Sequence, residues 1–137
     1  MVLSFAALAQ NVSAPVTLAQ MRDRLRPLLI FAPVPNDPRL LDEVRMVTEH
    51  AAEAADRDLV PVAVVEHGDP AASHRLADGD IAEARRRFHV GSGEFAVVLV
   101  GKDGGEKLRA GKPIPFARLR ETIDAMPMRR DEMKARQ

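Results

Sequence analysis

The chain has 137 residues, 46% of them hydrophobic and 29% charged, which is enough for one domain around one core. Lys+Arg and Asp+Glu both number 20, and a formal net charge of zero leaves none of the electrostatic footprint of a nucleic-acid binder. There are no cysteines, which excludes disulfides, thiolate metal sites, cysteine nucleophiles and dithiol redox chemistry.

Residues 1–20 carry no charged side chain, and the apolar stretch 2–9 ends in Ala7-Leu8-Ala9. Small residues after an apolar run are the mark of a secretory signal's end. Residues 1–20 are therefore expected to be a signal-peptide remnant or a flexible leader, with the domain spanning 21–137. An exported, periplasmic location follows, with a cytoplasmic one as the alternative. No apolar stretch is long enough to span a bilayer.

Residues 21–26 (MRDRLR) read as a charged lead-in. The apolar run 27–32 (PLLIFA) predicts a strand buried on both faces. Asp37-Pro38 opens a helix, because Asp caps well and Pro fits the first helical position. Leu40, Leu41, Val44, Val47, Ala51 and Ala55 form its apolar stripe, with Glu43 largely off it, and the helix is expected to end near Asp56. The run 59–65 (LVPVAVV) predicts a second buried strand, 66–79 a loop, and 80–88 a short helix. The third strand is 95–100 (FAVVLV). Asp103-Gly104 signals a hairpin into 106–109, with both central turn residues expected at positive φ. Pro113 and Pro115 break the chain, and 116–126 forms a last helix. The order β-α-β-α-β-β-α implies an α/β fold: a mixed sheet flanked by helices, with right-handed crossovers.

Three places could carry chemistry. Asn36, Asp37 and Arg39 sit at a helix N-terminus, where free N–H groups favour an anion and Arg39 could grip a carboxylate or phosphate. Against this, Asp37 as N-cap could fill the anion position itself. Lys102, Lys107 and Arg109 could line a basic edge around the glycine-rich turn, which lacks phosphate-loop spacing. Met128, Arg129 and Arg130 could hold an acidic partner, or the methionines could close the core. The four histidines show no recognised metal-ligand spacing and read as exposed loop residues.

The strand and helix order is the thioredoxin-like order, and residues 31–40 (FAPVPNDPRL) overlie the region of a thioredoxin's redox loop. Pro38 matches the motif proline, while Asn36 and Arg39 stand at the cysteine places. The proline expected just before the third strand is absent from 90–95 (VGSGEF). LVGKDGGEKLR (99–109), IDAMPMRRDEM (123–133), RPLLIFAP (26–33) and RRRF (85–88) resemble the bacterial domain-of-unknown-function family 4174. That resemblance spans roughly residues 22–133 and implies a peroxiredoxin-like, thioredoxin-like fold. Peroxidase activity does not carry over, since the peroxidatic cysteine is missing. The expected function is a non-catalytic binding domain for a small anion or a protein partner, with no cofactor and no nucleic acid. One alternative is an enzyme on this scaffold using Asp37, Arg39 and Glu94. Another is an envelope interaction protein acting through its C-terminal Met-Arg tail.

Overall fold

The computed structural model describes residues 15–70 and 74–136. Its elements are β1 (Pro15–Val16), α1 (Leu18–Met21), β2 (Arg26–Ala32), α2 (Pro38–Glu49), α3 (Ala51–Asp56), β3 (Leu59–Val65), β4 (His74–Leu76), α4 (Asp78–Arg87), β5 (Ala96–Val100), β6 (Glu106–Ala110), α5 (Phe116–Asp124) and α6 (Pro127–Ala135). They form one six-stranded sheet in the order β1-β4-β3-β2-β5-β6. The pairs β1/β4, β4/β3 and β3/β2 are parallel, and β2/β5 and β5/β6 antiparallel.

Apart from Arg26 at the start of β2, the central strands β2, β3 and β5 are apolar because helices cover both faces. Leu28, Ile30 and Ala32 join Leu40, Val47, Phe116, Leu119 and Ile123 on the face under α2, α3 and α5. Leu29 and Phe31 point the other way, toward Met21, Ala84 and Phe88 of the α1/α4 layer. This is the mixed sheet that the apolar runs predict, and burial of each such side chain stabilises by about 1.5–3 kcal/mol.

Four expectations change. Pro15 to Gln20, assigned to the leader, carry β1 and most of α1, and Met21 is buried. A two-residue strand is too short to leave an alternating pattern. Residues 1–14, where the signal reading rests, lie outside the described residues. The segment 66–79 contains β4 and the start of α4 instead of being loop throughout. The helix over 38–56 is broken at His50, whose N–H turns to Val47 O while its ring nitrogen Nδ1 lies 2.9 Å from Met46 O. A side chain that takes the backbone's acceptor competes with the helix ladder. The break shifts the helical phase, so Ala54 is buried while Ala51 and Ala55 are exposed. In the β5–β6 hairpin only Gly104 has positive φ, at 84°. Gly104 N–H donates to Gly101 O and Gly101 N–H to Gly105 O, a one-turn loop with an irregular register at Leu99/Val100.

The chain's second half ends in a helix rather than a loose tail. Pro127 occupies the first turn of α6, as its fixed φ allows. Helix α4 ends with His89 at φ 56°; His89 N–H donates to Arg86 O and Val90 N–H to Arg85 O. This is a left-handed C-terminal cap made without glycine.

Candidate functional site

The register sets the site. Phe31 pairs with Ala96 and Ala32 with Val65, so the C-terminal ends of β2 and β3 meet the start of β5 at one end of the sheet. Three connections converge there: residues 33–37, 66–68 and 91–95. Glu66 N–H donates to Ala32 O at 2.9 Å and His67 N–H to Pro33 O at 3.1 Å, which extends the ladder beyond the strands. Gly68 has φ +91°, and a Cβ there would lie 2.8 Å from Pro35 Cγ, so loop and proline pack at a distance that only glycine permits.

At the helix N-terminus, Asp37 is buried and caps α2 by accepting from Arg39 N–H at 2.9 Å. The Arg39 guanidinium then grips the same carboxylate with Nε at 3.0 Å and Nη2 at 2.7 Å. It also lies 4.5 Å over the Phe95 ring. The Arg39 hydrogen bond holds Asp37 below the usual carboxylate range. Asp37 therefore supplies, from within the chain, an anion for the helix N-terminus and for the Nε and Nη2 donors of Arg39. Asn36 is exposed beside this pair.

Glu94 reaches the same end of the sheet but closes its own turn, accepting from Gly91 N–H at 2.8 Å. The acid that joins two loops is Glu66, which accepts from Ser92 Oγ at 2.5 Å and Gly93 N–H at 2.8 Å, with Arg85 at 3.6 Å. The Ser92 hydroxyl and then the Gly93 amide keep Glu66 ionised below its ordinary range. Nothing in its sequence neighbours marks Glu66 for this role; the contact spans 26 residues. Beside the loops runs an open groove of about 610 Å³ along α2, with Pro35, Leu40, Val44 and Pro70 among its walls. Leu41, expected in the buried stripe, is 47% exposed on it, and Val34 on the neighbouring loop is 40% exposed.

Helix α2 also buries an acid. Glu43 is 1% exposed, and both its carboxylate oxygens lie 3.1 Å from Ile114 N. One backbone N–H does not offset the lost hydration, and burial pushes Glu43 up to about 7. It faces inward because it satisfies the N–H that precedes α5, a requirement absent from any local pattern.

The basic edge and the tail divide into internal and surface groups. Lys102 donates to Asp58 at 2.7 Å and to Glu132 at 2.8 Å. Arg129 is 2% exposed and is bound by Asp56 at 2.7 Å and Asp124 at 3.3 Å. Those two cations hold α6 to the body, which corrects the expectation that Arg129 presents itself to a partner. Arg109 donates to Phe88 O and His89 O, tying β6 to the end of α4. Lys107 pairs with Asp103 at 2.9 Å, while Arg130 is exposed and Met128 is 44% exposed. Among the histidines, His74 is buried on β4 instead of exposed, and burial lowers its pKa. Among the described residues no group of His, Cys, Asp and Glu is arranged to hold a metal, and no helix is long and apolar enough to cross a membrane.

Comparison with known proteins agrees with this fold. The family described as "Domain of unknown function (DUF4174)" matches residues 17–132. No curated protein matches the sequence. Among solved structures, the reduced 2-Cys peroxiredoxin of Plasmodium vivax superposes with a TM-score of 0.61 at 15% identity, over 83% of this chain and 84% of that one. A secreted disulfide oxidoreductase of Mycobacterium tuberculosis gives 0.51 at 19% identity, over 79% and 86%. At such identities the likeness is one of fold, and this chain lacks the cysteine on which both of those chemistries depend.

Proposed function

The chain belongs to the DUF4174 family, and we propose that it is a redox-inactive, thioredoxin-like binding domain that holds a protein partner at the end of the sheet where β2 and β3 finish. One observation carries this reading. The position of a redox loop holds an acid and an arginine that neutralise each other, while the groove next to it is open and largely apolar. Among the described residues, two of the three exposed large hydrophobic side chains, Val34 and Leu41, lie at this place. Exposed apolar side chains that cluster beside a formed groove favour contact with a partner over contact with a small anion. The small-anion form of the binding hypothesis loses support because Asp37 already occupies Arg39.

The test is a photo-crosslinking amino acid placed at Leu41, with Arg86 on the exposed side of α4 as the control position. A discrete adduct in native extract at Leu41, absent at Arg86 and lost when Val44→Asp is added, is the expected result. Equal labelling at both positions would end the proposal. An exported location accompanies this reading; it rests on the uncharged, apolar residues 2–9, and N-terminal sequencing of the native protein from isolated periplasm tests it.

A further inference from the structure

On the face of the sheet away from α2, a second pocket of about 450 Å³ lies between α1, α4 and the β5–β6 turn. Small-molecule sites usually measure about 300–1,000 Å³. Two backbone ties frame this one. Leu18 N–H donates to Asp80 Oδ2 at 2.8 Å, which holds the start of α1 to α4. Asp23 N–H donates to Lys102 O at 2.8 Å, which holds the end of α1 to the turn. Met21, Leu25, Phe88 and Val100 form the apolar side of the pocket. Arg22 and Arg87, at the ends of α1 and α4, stand on its polar side, and both are exposed. They converge over Gly104. A Cβ built on that glycine would lie 3.3 Å from Arg87 Nη2 and 3.8 Å from both Cζ and Nε of Arg22, so the missing side chain leaves open the space that the two guanidiniums share.

Where arginines converge elsewhere in the chain, a carboxylate lies between them. Arg57 and Arg129 meet on Asp124, and Arg129 and Arg136 meet on Asp56. Over Gly104 the pair has no such acid. Arg87 gives one N–H to Gly104 O at 2.7 Å and lies 5.4 Å over the Phe88 ring, and among the described residues it has no ion pair. The Arg22 side chain has neither an ion pair nor a hydrogen bond there. The two acids in the pocket walls do not fill the role. Asp80 is engaged with Leu18 N–H, and Glu83, four residues before Arg87 on α4, is exposed and pairs with neither arginine. Like charges held over one point gain from a shared anion, and guanidinium forks match a carboxylate. Asp80 and Glu83 nearby favour one negative charge over two. We propose that this pocket binds an amphiphilic carboxylate, its head between Arg22 and Arg87 and its apolar body against the Met21 and Phe88 side. The site is separate from the groove along α2 and stands whether or not the proposed partner binds there.

The experiment is a titration of the full chain with octanoate, followed by the backbone amide signals of Arg22, Phe88 and Gly104. Octanol, which lacks the charge, and acetate, which lacks the apolar body, serve as the two controls. Saturable shifts at those amides are expected with octanoate, at lower concentration than with either control. Arg22→Gln should weaken octanoate about tenfold, the loss of one charge-assisted contact. Glu83→Gln should tighten it severalfold by removing a like charge from the wall. Neither side chain makes a hydrogen bond or ion pair among the described residues, so both variants keep the fold, and a dispersed amide spectrum verifies it. An equal response to octanol or acetate, shifts confined to other residues, no saturation, or an unaltered affinity in either variant would each overturn the proposal.

Discussion

Replacing Glu43 with Gln tests the physics of the buried acid directly. The amide keeps the shape and the acceptor for Ile114 N–H but cannot ionise. In the folded chain Glu43 titrates near 7, against an ordinary value of 4.5. Between those values the unfolded chain has released the proton while the folded chain still holds it. Unfolding therefore releases a proton, and stability falls as pH rises through that window. The favourable contribution is complete below 4.5 and lost as pH passes 7. At about 1.4 kcal/mol per pH unit, the window amounts to about 3 kcal/mol. Urea denaturation of wild type and Glu43→Gln between pH 4.5 and 8 reads this as a difference, in which the other titrating groups cancel. The two proteins should be nearly equal at pH 4.5. The variant should be more stable by about 3 kcal/mol at pH 8, or about ten degrees in melting temperature. Parallel stability curves across the whole range would refute the argument, because they would mean that Glu43 pays no ionisation penalty in the fold.

Arg129→Met should cost about 3 kcal/mol in denaturant, because Asp56 and Asp124 lose a nearly buried partner; the half-exposed acids recover some hydration, so the value sits at the low end for a broken pair. Truncation after Ala125 should leave no cooperative unfolding transition, since Arg26 would then be buried without Glu132. His89→Gly should raise stability by about 1 kcal/mol, because a left-handed backbone strains any side chain; a lower melting temperature would count against that cap geometry. Gly68→Ala should cost about 2 kcal/mol through positive φ and contact with Pro35, measured in the same denaturant titration.

Much of this architecture was legible because it is written in local patterns. Residues 27–32, 59–65 and 95–100 are unbroken apolar runs, and such runs identify strands covered on both faces. Asp37-Pro38 marks a helix start to the residue, and the glycine-rich turn marks the hairpin. The parts that stayed hidden depend on partners distant in sequence. Strands β1 and β4 have two and three residues and gain their identity only by pairing with each other and with β3. Glu43 and Arg129 look like surface residues on amphipathic helices, and they are buried because Ile114 N–H, Asp56 and Asp124 await them. At the candidate site, Asn36, Asp37, Arg39 and Glu94 do converge on one sheet end. Their hydrogen bonds, however, close within each loop, and Glu66 supplies the link between loops.

The pairing of Arg26 with Glu132 has a consequence for biosynthesis. The first residue of the central strand finds its acid 106 positions later. On the ribosome, β2 is complete while the carboxylate that neutralises its buried guanidinium has yet to be polymerised. A nascent sheet of β2 and β3 thus carries an uncompensated cation at its base, and collapse before α6 emerges is penalised. Full compensation of the buried Arg26 guanidinium therefore requires the chain through residue 132, which ties the stability of the sheet's first-made strand to the last helix.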